Sequence, residues 1–226
     1  MKKTQAKIKE LKKKSTEWIF QFWAWQLLFW ALYRYFFHFP EWADEFVFKP
    51  LVFVVPVLVY VLKKERLSLS TIGLTRNNLR RNFLFGLGMG VIFFLEGIGV
   101  NIATHGDLKL QQLTATAGYS IGFLTLLSLA TALSEELLSR GFLFSRLYEQ
   151  TKRLWYSILL STAMFVAFHI PILVTSLKFQ GPTLILFVAT SVVLAVVNSI
   201  VFFQTKSLIT PILIHFFWNM TVALFL

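Results

Sequence analysis

The chain contains no cysteine and few charged residues for its length. Asp, Glu, Lys and Arg make up 15% of its 226 residues, against about 25% in an ordinary soluble domain. The lack of cysteine excludes disulfide bonds and metal sites built on thiolates. The sequence also lacks a low-complexity tract, a long polar linker or a clear internal repeat. We therefore expect one domain over residues 1–226.

Apolar residues make up 56% of the chain, and the mean hydropathy is +0.66, which places it in the membrane class. Each of seven apolar stretches is near the roughly 20 residues that a spanning helix needs. The sequence therefore predicts an all-α, polytopic membrane helix bundle of about seven spans, with the active site in the bundle interior. The stretches are 17–37, 46–62, 83–104, 121–145, 154–176, 183–203 and 207–226.

The basic residues indicate an orientation. Seven lysines fall within residues 2–14, and the 63–82 and 146–153 loops are also rich in Lys and Arg. Such residues favour anionic lipid and the cytoplasmic side, rather than nucleic acid. We expect residues 1–15 to form a basic cytoplasmic segment, followed by a retained first span because no cleavage site follows it. The active site is then expected to open toward the cytosol.

Two adjacent acids, Glu135 and Glu136, lie inside the fourth apolar stretch. One ionised group at the centre of a membrane helix costs roughly 2.5–3.5 kcal/mol, so an intramembrane acid is by default a functional hypothesis. Glu136 and Arg140 are four residues apart and can pair on one helix face, whereas Glu135 is turned about 100° away. The two acids therefore have different surroundings, which favours different roles: Glu135 as a general base and Glu136 as its partner.

Two later stretches each carry a histidine. Phe165 and His169 are four residues apart, as are His215 and Asn219, so each pair shares a helix face. Glu135 with His169 has the chemistry to hold and deprotonate a water. His215 with Asn219 has the donors to stabilise an oxyanion.

Each of these features alone has a structural explanation. A Glu–Arg pair is commonly a surface salt bridge, a single membrane histidine often makes a packing hydrogen bond, and an asparagine in a span often joins helices, as expected of Asn198 and Asn101. Their joint occurrence on three spans favours one shared site. Elsewhere, we expect Glu96 to be a buried acid paired with Arg34 or Arg140. Close helix packing is predicted at three glycines, Gly86, Gly88 and Gly90.

The order Glu-Glu-x-x-x-Arg, Phe-x-x-x-His, His-x-x-x-Asn over residues 120–226 resembles the CPBP (CAAX protease and bacteriocin-processing, Abi) family of intramembrane endopeptidases. The resemblance implies that this region is the catalytic core of a membrane peptidase. It also implies that Glu135 and His169 activate water and that His215 and Asn219 form the oxyanion hole. The catalytic set is then Glu135, Glu136, Arg140, His169, His215 and Asn219.

The leading hypothesis is an endopeptidase that cleaves a membrane-associated or prenylated peptide, or a bacteriocin or pheromone precursor, in a bacterial cell membrane. Metal-free hydrolysis without a cofactor is favoured. Zinc held by Glu135, His169 and His215 is the alternative, since two His and a Glu form a known catalytic set. A non-catalytic bacteriocin self-immunity or scaffold protein and a proton-coupled transporter are the competing functions.

Overall fold

The computed structural model describes residues 16–110 and 118–225, which include seven helices and no strand. The predicted basic segment 1–15 lies outside the described residues. The seven helices correspond to the seven predicted apolar stretches, which confirms the all-α fold class. They are α1 (Glu17–Phe36), α2 (Glu41–Glu65), α3 (Leu79–His105), α4 (Ile121–Thr151), α5 (Leu154–Leu177), α6 (Gly181–Thr205) and α7 (Ile209–Phe225).

Five of these helices, α2 to α6, are long and apolar enough to cross a membrane, and α7 is a shorter apolar helix of the described chain. The first helix falls short of the other five in hydropathy because it contains Gln21, Gln26 and Arg34. Large apolar side chains are exposed around the outside of the bundle. Exposure is greatest on α3, where only 11% of the most apolar 18-residue stretch is buried inside the protein. The chain is therefore an integral membrane protein with lipid-facing apolar surfaces.

Helix α7 packs closely against α3 because glycines remove side chains from the contact. A Cβ atom on Gly86 would lie 2.9 Å from the backbone of Thr210, and one on Gly90 would lie 2.3 Å from the ring of Phe217. Gly88, which we expected in the same contact, has nothing within 4 Å. A two-residue step turns a helical position by about 200°, so Gly88 lies on the opposite face from its neighbours.

The bundle has two different ends. The basic end carries the segments 66–78, 152–153 and 206–208, and the cavity end carries the segments 37–40, 106–110, 118–120 and 178–180. At the cavity end, Arg34 near the end of α1 binds Asp44 near the start of α2 and Ser176 near the end of α5. These contacts hold three helix ends together.

The half of the bundle next to the basic end is densely packed. Residues 134–147 of α4 are buried without interruption, and Leu138, Phe142 and Leu143 have no exposed surface. Lipid tails are as apolar as leucine, so tight packing and hydrogen bonds, rather than removal from water, favour this association. The buried Arg146 guanidinium also binds Glu65 of α2 at 2.7 Å.

The 66–78 segment closes the basic end against α4 and α6. Gly73 has φ +82°, and a Cβ there would lie 2.4 Å from the ring of Phe202. Its carbonyl accepts a hydrogen bond from the amide of Leu208. Only glycine meets both demands, a left-handed backbone and contact with an aromatic ring.

Candidate active site

A cavity of about 150 Å³ lies between the helices, with Glu135 in its wall. Helices α1, α2, α4, α5, α6 and α7 all contribute to it. The wall is mainly apolar and aromatic, with a small number of polar groups, as is usual for ligand sites. Its polar residues are Glu41, Glu45, Lys49, Ser128, Thr131, Glu135, His169 and Asn219.

Glu136 lies outside the cavity and is completely buried. Its Oε1 accepts hydrogen bonds from Arg140 Nη1 at 3.0 Å, Asn198 Nδ2 at 3.0 Å and His215 Nδ1 at 2.7 Å. The ion pair predicted from the four-residue spacing of Glu136 and Arg140 is confirmed. Asn198, expected only to join helices, does so by binding this carboxylate and the Pro211 carbonyl. Glu136 therefore connects α4, α6 and α7.

Phe165 gives the Phe-x-x-x-His spacing a physical basis. The Arg140 guanidinium carbon lies 4.4 Å from the centre of its ring, a distance typical of a cation–π contact. The ring also meets the imidazoles of His169 and His215 edge-on, at centroid distances of 4.7 and 5.8 Å. One aromatic ring thus separates the Arg140 charge from both histidines and sets their positions.

The two histidines present their Nε2 atoms to the same oxygen of Glu135. Each Nε2 lies 3.7 Å from Glu135 Oε2. The Nδ1 of His169 faces the Phe165 carbonyl at 3.0 Å, and the Nδ1 of His215 faces Glu136. Since both of these partners are acceptors, each Nδ1 carries the proton. The buried Glu135 Oε2 and His215 Nε2 have no hydrogen-bond partner among the described residues.

Helix α2 adds two charged residues that the sequence analysis missed. Lys49 Nζ lies 3.0 Å from Glu135 Oε1 and 2.6 Å from Glu45 Oε1, and the lysine is 4% exposed. The other Glu45 oxygen accepts a hydrogen bond from Thr131 Oγ1 at 2.6 Å. The sequence does contain evidence for this pair, because Glu45 and Lys49 are four residues apart and the lysine interrupts an apolar stretch. Spacing within α2 does not show that this pair faces α4.

Asn219 lines the cavity, but His215 does not. The Asn219 side-chain amide donates one hydrogen bond to the Ser128 carbonyl at 3.1 Å, which leaves its second N–H group. His215 is fully buried between the carboxylates of Glu135 and Glu136. The two residues predicted to aim at one point therefore differ in access, although they share a helix face.

The cavity extends from Glu135 toward one end of the bundle. Its wall extends from Glu135 toward the cavity end of the bundle and includes Glu41, the first residue of α2, and Leu177, the last residue of α5. On the other side of Glu135 the continuously buried part of α4 blocks the way to the basic end. A cytosolic basic end and a site open to the same side cannot both be correct.

The expectation for Glu96 is also wrong. Its side chain is exposed on α3 and makes no ion pair in the described part of the chain. Arg34 instead pairs with Asp44 and Glu41, and Arg140 pairs with Glu136. Glu96 lines a separate groove of about 460 Å³ on the outside of the bundle.

A metal would have to be held by Glu135, His169 and His215, whose free atoms face one another. Within residues 16–110 and 118–225, no group of three or more His, Asp or Glu has the arrangement of a metal site. The second oxygen of Glu135 already binds the Lys49 ammonium, so a further cation here would lie close to a positive charge.

Residues 117–221 match the family model of the Rce1-like type II CAAX prenyl endopeptidases. Over these residues the chain is similar to that family, which agrees with the CPBP resemblance of its three motifs. The match covers just under half of the chain and includes all three motifs named above. No significant match was found among curated proteins or solved structures. The family that this region resembles consists of membrane proteases. Helix α2, which supplies Lys49, lies outside the matched region.

Proposed function

We propose that the protein is a glutamate-dependent intramembrane endopeptidase that cleaves a membrane-associated peptide. The observation that carries this proposal is the meeting of Glu135 Oε2 with the Nε2 atoms of His169 and His215 at 3.7 Å beside a cavity. These three atoms accept hydrogen bonds, and a water molecule can donate to two of them. The match of residues 117–221 to the Rce1-like family supports the same activity.

In the first step, the water donates one hydrogen to Glu135 Oε2 and the other to His169 Nε2. Its oxygen attacks the carbonyl carbon of the scissile peptide bond while Glu135 takes the proton, as a general base does. The carbonyl π electrons move to oxygen and form a tetrahedral oxyanion. Lys49 and the Glu136 network hold the acids and the rings in place for this step.

In the second step, the oxyanion collapses and the C–N bond breaks. Glu135 returns its proton to the leaving nitrogen, so the products are a carboxylic acid and an amine. The free N–H of Asn219 supports the oxyanion, and loss of one such donor typically costs about 10²–10³ in kcat. His215 lies behind Glu135, with its Nε2 3.7 Å from Glu135 Oε2, and positions the base.

We propose hydrolysis without a metal because the Lys49 ammonium lies 3.0 Å from Glu135 and repels a second cation. Dialysed protein should turn over a quenched-fluorescence peptide equally well with and without a chelator. Loss of activity in chelator that added zinc restores would instead establish a zinc enzyme.

The direct test of the proposed function is Glu135→Gln, which keeps the side-chain volume and removes the base. Turnover should fall by a factor of about 10² or more, while the protein still inserts and folds. Glu96→Gln is the matched control, since it neutralises an exposed membrane acid on α3, and it should leave turnover unchanged. Turnover above about a tenth of wild type in Glu135→Gln would reject Glu135 as the base. Absence of any peptide cleavage by the wild type would favour the non-catalytic alternative.

A further inference from the structure

We propose that the groove on the outside of the bundle, between α3, α6 and α7, is a docking site for a transmembrane helix of another protein that carries one Lys or Arg. This inference goes beyond the proposed function, because the groove lies outside the catalytic cavity and its occupant is a partner rather than a substrate. It holds for either orientation of the chain in the membrane, since it depends on depth alone.

The groove has the shape that a helix requires. Its wall on α3 runs from Phe93 to Thr104, and its wall on α6 is formed by Thr183, Leu186, Thr190 and Val193. Steps of three and four residues keep side chains on one face of a helix, so the walls run lengthwise for about 15 Å. Helix α7 packs against both α3 and α6 and forms the floor with Trp218 and Val222. A helix can therefore lie along the groove beside its neighbours.

Glu96 places a carboxylate in the wall of this groove, inside the membrane span. It lies nine residues from His105, the last residue of α3, which is about 13 Å of helix. Its side chain is exposed and makes no ion pair with the residues that the structure describes. Acids at such a depth are costly and pair with opposite charges. A Lys or Arg on the docked helix supplies that charge.

Asn101 adds a hydrogen-bond donor to the same groove. Its side chain is 3% exposed, and its Oδ1 accepts a hydrogen bond from the Lys109 amide at 2.9 Å. Its Nδ2 has no hydrogen-bond partner in the described part of the chain. A buried amide donor without an acceptor is uncommon, and polar side chains on a neighbouring transmembrane helix are suitable acceptors. Glu96 and Asn101 therefore offer a docked helix one acceptor and one donor.

The partner is another protein rather than a second copy of this chain. Four Lys or Arg residues of the described spans are buried and already form ion pairs, namely Arg34, Lys49, Arg140 and Arg146. The other described Lys and Arg residues lie in loops or in the first or last turn of a helix. Glu96 lies about 13 Å from the nearer end of α3. A second copy with the same orientation therefore brings no free cation to the depth of Glu96.

Designed single-span peptides test the groove directly. One peptide has a core of about 19 Leu, Ala and Gly residues with a lysine at its centre, which matches the depth of Glu96 in either direction of insertion. The second peptide has leucine at that position. In phosphatidylcholine liposomes, the protein carries a donor fluorophore on Asp107→Cys, an exposed position just beyond α3, and the peptides carry an acceptor. Energy transfer should saturate at an about tenfold lower concentration with the lysine peptide, and Glu96→Gln should remove this preference.

Two tryptophan substitutions separate the groove from the rest of α3. Val100 lines the groove and Leu95 does not, and their side chains are 52% and 58% exposed, so neither change disturbs the bundle. Val100→Trp should abolish energy transfer with the lysine peptide, whereas Leu95→Trp should leave it unchanged. Equal transfer with both peptides, transfer with neither, or insensitivity to Val100→Trp would overturn the proposal. Energy transfer between two labelled copies of the protein that Val100→Trp abolishes would assign the groove to a second copy and would also overturn it.

Discussion

The same helices form both halves of the bundle, the one next to the basic end and the one next to the cavity end. The two halves differ in how fully their buried polar groups are paired. In the sealed half, Arg146 and Glu65 are paired with each other inside dense packing. In the cavity half, Glu135 shares Lys49 with a second acid and keeps one oxygen without a described partner. The fully paired Arg146 guanidinium stabilises the first half, whereas the unpaired oxygen of Glu135 leaves the second half able to bind a reacting molecule.

The Glu136 network lies at the boundary between these halves, and breaking it should have the largest effect. Arg140→Ala leaves a fully buried carboxylate without its charge partner, a change that typically costs about 3–5 kcal/mol. We expect a strongly lowered melting temperature in detergent and loss of activity. Arg76→Ala removes an exposed arginine and serves as the control. Wild-type melting of Arg140→Ala would show that the Glu136–Arg140 ion pair contributes little to stability.

A change at the cavity wall should affect the reaction rather than the fold. Asn219→Ala removes a neutral donor, so kcat should fall by roughly 10²–10³ while KM stays nearly constant. Asn219→Asp should be worse, because it adds negative charge where negative charge develops. Steady-state kinetics on a quenched peptide measure both constants. A raised KM with a normal kcat would assign Asn219 to substrate binding.

Lys49 tests whether α2 takes part in the site. Lys49→Met removes the positive charge that Glu45 and Glu135 share and leaves the two carboxylates facing each other without it. We expect turnover to fall about 10- to 100-fold. Adding Glu45→Gln should recover part of this loss, because it removes the competing acid, and a double-mutant cycle measures the coupling. Simple additivity of the two substitutions would argue against a shared charge network.

The smallest expected effect compares two glycines on opposite faces of α3. Gly86→Ala brings a methyl group within 2.9 Å of the Thr210 backbone, which should cost about 1–3 kcal/mol by overpacking. Gly88→Ala has open space around it and should be neutral or slightly stabilising, since alanine favours helix over glycine. Melting temperatures of the two variants decide between them. Equal effects would mean that α7 does not limit the approach to α3.

Local patterns explain why much of the helical architecture was predictable. The seven apolar stretches predicted seven helices because length and composition act within one segment. The spacing of Glu136 and Arg140 likewise predicted their ion pair. The expectations that failed concerned the environment of a side chain: Glu96 is exposed rather than paired, and Gly88 faces away from α7. Helix periodicity places a residue on a face but does not say which neighbour that face meets.

The sequence by itself determined the seven helices, the membrane class and the motifs of a Rce1-like domain, because these depend on residue type and on separations of a few positions. Only the tertiary structure decided that Lys49 reaches Glu135, 86 residues away, and that His215 and Asn198 meet on Glu136. It also decided that the cavity extends from Glu135 toward Glu41 and Leu177. These features depend on how whole helices pack against one another, and the loop charges do not encode that arrangement.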